Sequence, residues 1–198
     1  MRKLILVLFA VFICYNMNAQ FIKEKAINVS IGFGYAFPFE DVEVNGVGGY
    51  ASGEYILKIK SWLDLKPYVG LIFTKSELTD KYNSEDAFNS NPNIPKESDL
   101  KLSTNALLLG GKIRIKAPIP YFAPYFEIGI GTSIGSFKNV TYLNNIIDKN
   151  GVILHIPIAF GVELGKKHNF DIGFSYYLQP SVRQTVGAAA IGLKIPIN

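Results

Sequence analysis

From residue 27 onward, large apolar side chains recur at every second position. Ile27, Val29, Ile31, Phe33, Tyr35 and Phe37 share one parity, and Asn28, Ser30, Gly32, Gly34 and Ala36 share the other. Successive side chains of a strand point to opposite faces, so this period of two predicts a strand with one bulky apolar face and one small face. The same pattern returns in Phe126, Ile128, Ile130 and Ile134, opposite Glu127, Gly129, Gly131, Ser133 and Gly135. It returns again from Val152 to Leu164, from Phe170 to Tyr176 and from Ile191 to Ile197. Weaker versions run through Tyr55, Leu57 and Ile59, through Val69, Leu71 and Phe73, and through Leu107, Leu109, Ile113 and Ile115. These segments amount to about eight strands of roughly ten residues, and a tilted strand needs about 9–11 to cross a bilayer.

The connections alternate in length. Residues 38–49, 78–101 and 138–151 read as long, whereas 60–65, 117–122 and 165–169 read as short and 180–186 as moderate. Long loops on one side and short turns on the other are the layout of an outer-membrane barrel, with both ends of an even-stranded chain on the periplasmic side. The expected fold is therefore all-β: a closed, antiparallel, up-and-down transmembrane β-barrel of about eight strands, over residues 20–198. Pro157 falls in mid-strand and removes a ladder donor, so a bulge is expected there. Ile56, Ile72 and Leu108 sit on the parity otherwise reserved for small or polar groups.

The small parity decides which face meets lipid. Rich in glycine, alanine and serine, it suits the lining of a narrow barrel, because about eight strands leave little interior room. Eight charged residues lie on it: Glu54, Lys58, Lys112, Arg114, Glu127, Glu163, Asp171 and Lys194. Facing lipid at the midplane, a Lys or Arg costs about 2–4 kcal/mol. Facing inward, opposite charges pair across strands. Lys112 and Arg114 are expected near Glu127, and Glu163 near Lys194 or Asp171 according to register, giving an ion-paired plug. The competing reading is a soluble sheet with these charges on its solvated face.

A leader precedes this pattern. Arg2 and Lys3 form a positive end, Leu4 to Ile13 an apolar run, and Ala19 a small residue before an expected cut. Residues 1–19 thus read as a cleavable signal peptide for export through the Sec pathway. Val11-Phe12-Ile13 before Cys14 lacks the small residue that precedes a lipidated cysteine, and the run is short of the roughly 20 residues of a spanning helix. Cys14 is the only cysteine, so the exported part has no disulfide or thiol chemistry. Losing Arg2 and Lys3 lowers the net charge from +4 to +2. No basic cluster interleaves with aromatics, which argues against nucleic-acid binding. Charged residues make up 18 % of the chain and hydrophobic ones 48 %; about 25 % charged is usual for soluble domains.

Two strand openings carry a resemblance. Lys66-Pro67-Tyr68-Val69-Gly70 and Ala123-Pro124-Tyr125-Phe126-Glu127-Ile128-Gly129-Ile130-Gly131 each follow a short turn. A Pro-Tyr opening into a glycine-alternating strand resembles the outer-membrane β-barrel domain family, similar to the OmpA and OmpX transmembrane domains. The resemblance spans nearly the whole chain after the leader. It implies the fold and an outer-membrane location; with the last strand at the end of the sequence, the peptidoglycan-binding domain of full-length OmpA is not expected.

Candidate chemistry is sparse. His155 has Ile153 and Pro157 as same-face neighbours on its own strand, and nothing in the sequence ties Ser133 or Ser175 to it. The His-x-Ser motif of lipid A deacylase barrels is missing. His168, beside Lys166 and Lys167, reads as a solvated turn residue. Two distant histidines give no metal signature. Gly32-x-Gly34 and Gly129-x-Gly131 read as lining glycines, because no helix follows to make a phosphate loop. Neither catalytic residues nor a cofactor or metal are expected. The expected function is a monomeric, non-enzymatic outer-membrane protein of the cell envelope, surrounded by lipid, that meets an extracellular ligand or surface partner through its loops, 78–101 above all. The alternatives are a narrow small-solute channel, a soluble periplasmic lipid-binding barrel and a lipid-modifying enzyme.

Overall fold

The computed structural model describes residues 22–39, 44–78, 102–140 and 146–197. The leader (1–19) and most of the long connection expected over 78–101 lie outside the described residues.

Eight strands follow one another: β1 (Glu24–Pro38), β2 (Val44–Lys60), β3 (Leu63–Leu78), β4 (Ser103–Lys116), β5 (Phe122–Val140), β6 (Ile146–Leu164), β7 (Phe170–Gln179) and β8 (Gln184–Ile197). Each pairs antiparallel with the next, and β8 returns to β1 through the register Val29↔Leu193 and Gly32↔Ala190. The sheet closes on itself, so the ring has no free side.

Parity sorts the side chains as the alternation requires. On β1, Asn28, Ser30 and Ala36 are buried, while Val29, Ile31 and Phe33 are 50 %, 62 % and 75 % exposed. The outward belt continues through Val69, Leu71 and Phe73, through Ile128 and Ile130, and through Ile191 and Leu193. In water, so continuous an apolar exterior is an aggregation liability; against acyl chains it is the favoured surface. Aromatic side chains mark both ends of the belt. Trp62, Tyr121, Phe122 and Phe170 are exposed at the short-turn end, and Lys60 Nζ lies 5.5 Å from the Trp62 ring. Near the other end, Tyr35, Phe37 and Tyr176 contact one another on the outer face. Above Ile134 and Val152 the outward face turns polar, and Lys138 pairs with Asp148 at 3.2 Å, both about half-exposed.

Several expected boundaries move. β2 begins at Val44, inside the expected 38–49 connection, because residues 46–49 pair with Phe33 to Ala36 of β1 on one side and with β3 on the other. β5 and β6 reach Val140 and Ile146, so most of the 138–151 connection is strand. The 60–65 connection shrinks to Ser61-Trp62, with a register shift between Lys58 and Lys60 instead. Residues 117–121 form the next short connection, and 180–186 shortens to one 3-10 turn, Pro180–Val182, and Arg183. The bulge expected at Pro157 is absent. The β5–β6 register is the same at Ile128↔Ile158 and Gly131↔His155 on either side of it, and the ladder only skips the proline step. Losing one donor interrupts a ladder without requiring an extra residue.

Candidate functional site

The lumen is filled in tiers. Nearest the short turns is an ionic tier to which every strand contributes. Glu127 (β5) lies at its centre: Oε1 accepts from Lys66 Nζ at 2.7 Å and Arg114 Nε at 2.5 Å, and Oε2 lies 2.8 Å from Lys112 Nζ. Lys66 and Lys112 also bind Glu54 of β2, which accepts from Asn28 of β1 at 3.1 Å. Arg114 Nη1 spans to Glu163 at 2.5 Å and Asp171 at 2.9 Å, on β6 and β7. Glu163 takes Lys194 of β8 at 3.0 Å and Lys116 at 3.3 Å, and Lys116 reaches Asp64 at 2.7 Å. The Arg114 guanidinium lies 3.5 Å from the Tyr125 ring centroid, and the Tyr125 hydroxyl donates to Asp171 at 2.7 Å. Such groups tolerate burial only when paired. Each carboxylate here has at least one cationic partner, although Asp64 Oδ1 and Asn28 Oδ1 lack a hydrogen-bond partner among the described residues.

Of the eight charged residues singled out from sequence, seven join this network. The eighth, Lys58, sits at the rim and pairs with Glu24 at 2.8 Å. Glu163 lies opposite Asp171 in the register, and Arg114 separates their charges. Asp64, Lys66 and Lys116 are network members that sequence reasoning missed. Their signal was available: Asp64 and Lys66 continue the parity of Tyr68 and Gly70, and Lys116 continues that of Arg114. Among the described residues, no group of three or more His, Cys, Asp or Glu side chains is arranged to hold a metal.

The middle tier is aromatic. Tyr50 and Tyr177 share a hydrogen bond at 2.7 Å, and Tyr68 and His155 pack against Tyr177. His155 corrects the sequence reading. Its Nδ1 is bonded to Ser133 Oγ at 2.7 Å and its Nε2 to the Tyr68 hydroxyl. Ser133 is two residues from Gly131, the register partner of His155, so the two side chains meet diagonally across β5 and β6. Gln179 donates to the same Ser133 Oγ at 3.0 Å. Ser133 and His155 are both fully buried in the lumen. Gly131 leaves room for the cluster: a Cβ there meets His155 Nε2, Leu109 O and the Tyr68 hydroxyl. Gly131→Val is expected to cost about 1–3 kcal/mol through overpacking, read from urea unfolding in lipid vesicles.

The outer tier is an apolar and amide cap. Ile72, Leu102, Leu108, Phe137 and Val186 are buried together. Gln184 donates to Thr104 and Gln179, each at 2.8 Å, and Asn139 donates to the Val182 carbonyl at 2.8 Å. Ile72 and Leu108, out of place by pattern, are therefore core residues of this cap. The pocket left beside the ionic tier has a volume of only about 20 Å³, near the space one water needs.

His168 also differs from expectation. Its Nε2 donates to the Ile119 carbonyl at 2.9 Å, and Gly165 N–H donates to the Tyr121 carbonyl at 3.0 Å. The two short connections are thereby stapled together.

A closed eight-strand barrel with an apolar exterior and a side-chain-filled lumen is the fold of small outer-membrane β-barrels. No family model matches the chain, and no curated protein matches it. Among solved structures, it is similar to Neisserial surface protein A, with a TM-score of 0.53 and 11 % identity over 87 % of this chain and 97 % of that one. Ail, the attachment invasion locus protein of Yersinia pestis, solved with the heparin analogue sucrose octasulfate, matches with a TM-score of 0.46 and 14 % identity over 88 % and 99 %. The outer membrane enzyme PagL matches with a TM-score of 0.45 and 13 % identity over 87 % and 99 %. At these identities the likeness is one of fold alone.

Proposed function

We propose that this protein is an integral outer-membrane barrel without catalytic activity, exported through the Sec pathway, that acts as a rigid mount for surface interaction at its long-loop end. The observation that carries this reading is the filled lumen. Among the described residues, an ionic tier tied to all eight strands and an apolar cap above it fill the lumen with side chains, which speaks against a path for solute. The polar outward face of the β5–β6 hairpin above the belt supports exposure of that end to the medium. Burial of Ser133 and His155 argues against hydrolysis, because a nucleophile needs an open approach for its substrate.

Fractionation tests the location. The protein is expected in the outer membrane and to migrate differently on a denaturing gel before and after boiling; a periplasmic protein without that shift sinks the reading. Asn150→Cys tests the topology. Membrane-impermeant maleimide is expected to label it in intact cells, and labelling only after lysis places the hairpin on the wrong side. Planar-bilayer recordings are expected to show no steps beyond the bare bilayer, and well-resolved steps favour the channel. Ser133→Ala is expected to leave the lipid A profile of the native strain unchanged; a change there favours the enzyme.

A further inference from the structure

At the short-turn end the barrel opens into a cup of about 820 Å³, within the size range of small-ligand sites. Its walls have apolar stretches from Ile22, Ala26, Ile56, Ala123, Pro196 and Ile197, and the paired charges of Asp64, Lys116 and Lys194 also line it. Its rim is cationic. Inside the lumen, Lys66, Lys112, Arg114, Lys116 and Lys194 match Glu54, Asp64, Glu127, Glu163 and Asp171 one for one. Lys58 at the rim is matched by Glu24. Lys23, Lys25, Lys166 and Lys167 also line the cup, are exposed, and have no carboxylate partner among the described residues. A concave site with low-dielectric walls and charge of one sign concentrates counter-ions.

The rim is also held in place. Gly165 and His168 tie the β6–β7 turn to the β4–β5 connection, and Lys194 N–H donates to the Asn169 carbonyl at 2.7 Å. Lys166 and Lys167 therefore stand on a turn anchored on both sides, and less backbone freedom is lost when an anion binds.

We propose that this cup binds a phosphate-bearing amphiphile, its phosphate among the rim lysines and its apolar body against the walls. Lysine suits this as a point charge whose ammonium donates hydrogen bonds to phosphate oxygens. The source is either a phospholipid headgroup of the periplasmic leaflet or a free phosphomonoester.

The test uses the full barrel in phosphatidylcholine nanodiscs, followed by amide NMR while phenyl phosphate is added. Saturable shifts are expected at residues 23–26, 165–169, 194, 195 and 197, with inorganic phosphate roughly tenfold weaker because it lacks the apolar body. Lys166→Glu with Lys167→Glu is expected to weaken phenyl phosphate at least roughly tenfold, while leaving the heat-dependent gel shift intact. Replacing part of the phosphatidylcholine with phosphatidylglycerol separates the sources. If the same amides move before any phenyl phosphate is added, the headgroup is the occupant; if they move only with phenyl phosphate, it is a free ligand. The proposal is overturned if nothing saturates, if the double variant binds equally well, or if the shifts spread around the lipid-facing belt.

Discussion

Arg114→Ala is expected to destabilise the barrel by about 3–5 kcal/mol, the range for leaving buried charges without their partner. The loss falls unevenly. Glu127 keeps Lys66 and Lys112, and Glu163 keeps Lys116 and Lys194. Among the described residues, Asp171 loses the one cation paired with it and keeps the Tyr125 hydroxyl. Tyr125 in turn loses the guanidinium stacked on its ring. Adding Asp171→Asn to Arg114→Ala should therefore recover part of the loss, with a coupling of about 1–3 kcal/mol. Urea titration in phosphatidylcholine vesicles, scored by the fraction of heat-modifiable band, measures both. A single-variant cost below about 1 kcal/mol would mean that water, not Arg114, solvates these carboxylates.

Ile130→Arg is expected to cost about 2–4 kcal/mol, because it places a guanidinium against acyl chains near mid-strand. Ile130 is 68 % exposed on the outer face of β5. The control is Asn150→Arg, on the outward face of β6 but above the apolar belt, where a near-neutral effect of about 0–1 kcal/mol is expected. The contrast between the two positions carries the information. A barrel standing in water would tolerate both equally, since replacing an exposed isoleucine with arginine removes apolar surface from solvent.

Alternation made the fold legible. Wherever large apolar residues strictly alternate with small ones, as from Ile27 to Phe37 or Val152 to Leu164, the faces followed. The pattern failed where it had nothing bulky to mark the outer face. Gly46 to Gly49 read as a loop, yet paired neighbours on both sides hold them in the sheet. It failed again at Asp64, which fell inside the expected 60–65 connection and hid the start of β3, while Lys66 stood in an expected strand opening without its inward parity being followed. The Ser133–His155 bond was beyond reach for another reason. It depends on the β5–β6 register, and a period of two fixes facing without fixing which residues lie opposite. The pairing of Arg114 and Lys112 with Glu127 came closest to being readable, because one short turn joins their strands and limits the register.

The β5–β6 hairpin outgrows the membrane. Beyond Ile134 and Val152, pairing continues to Val140↔Ile146. Six further residues per strand, at about 3.3 Å each and tilted by about 40°, raise the tip roughly 15 Å above the apolar belt. The hairpin is thus a mast as much as a loop: its height and heading are set when the barrel closes. A molecule that touches the paired residues 135–140 and 146–151 would meet backbone whose ordering cost was met during folding, so the entropy left to lose on that contact belongs mainly to the visitor.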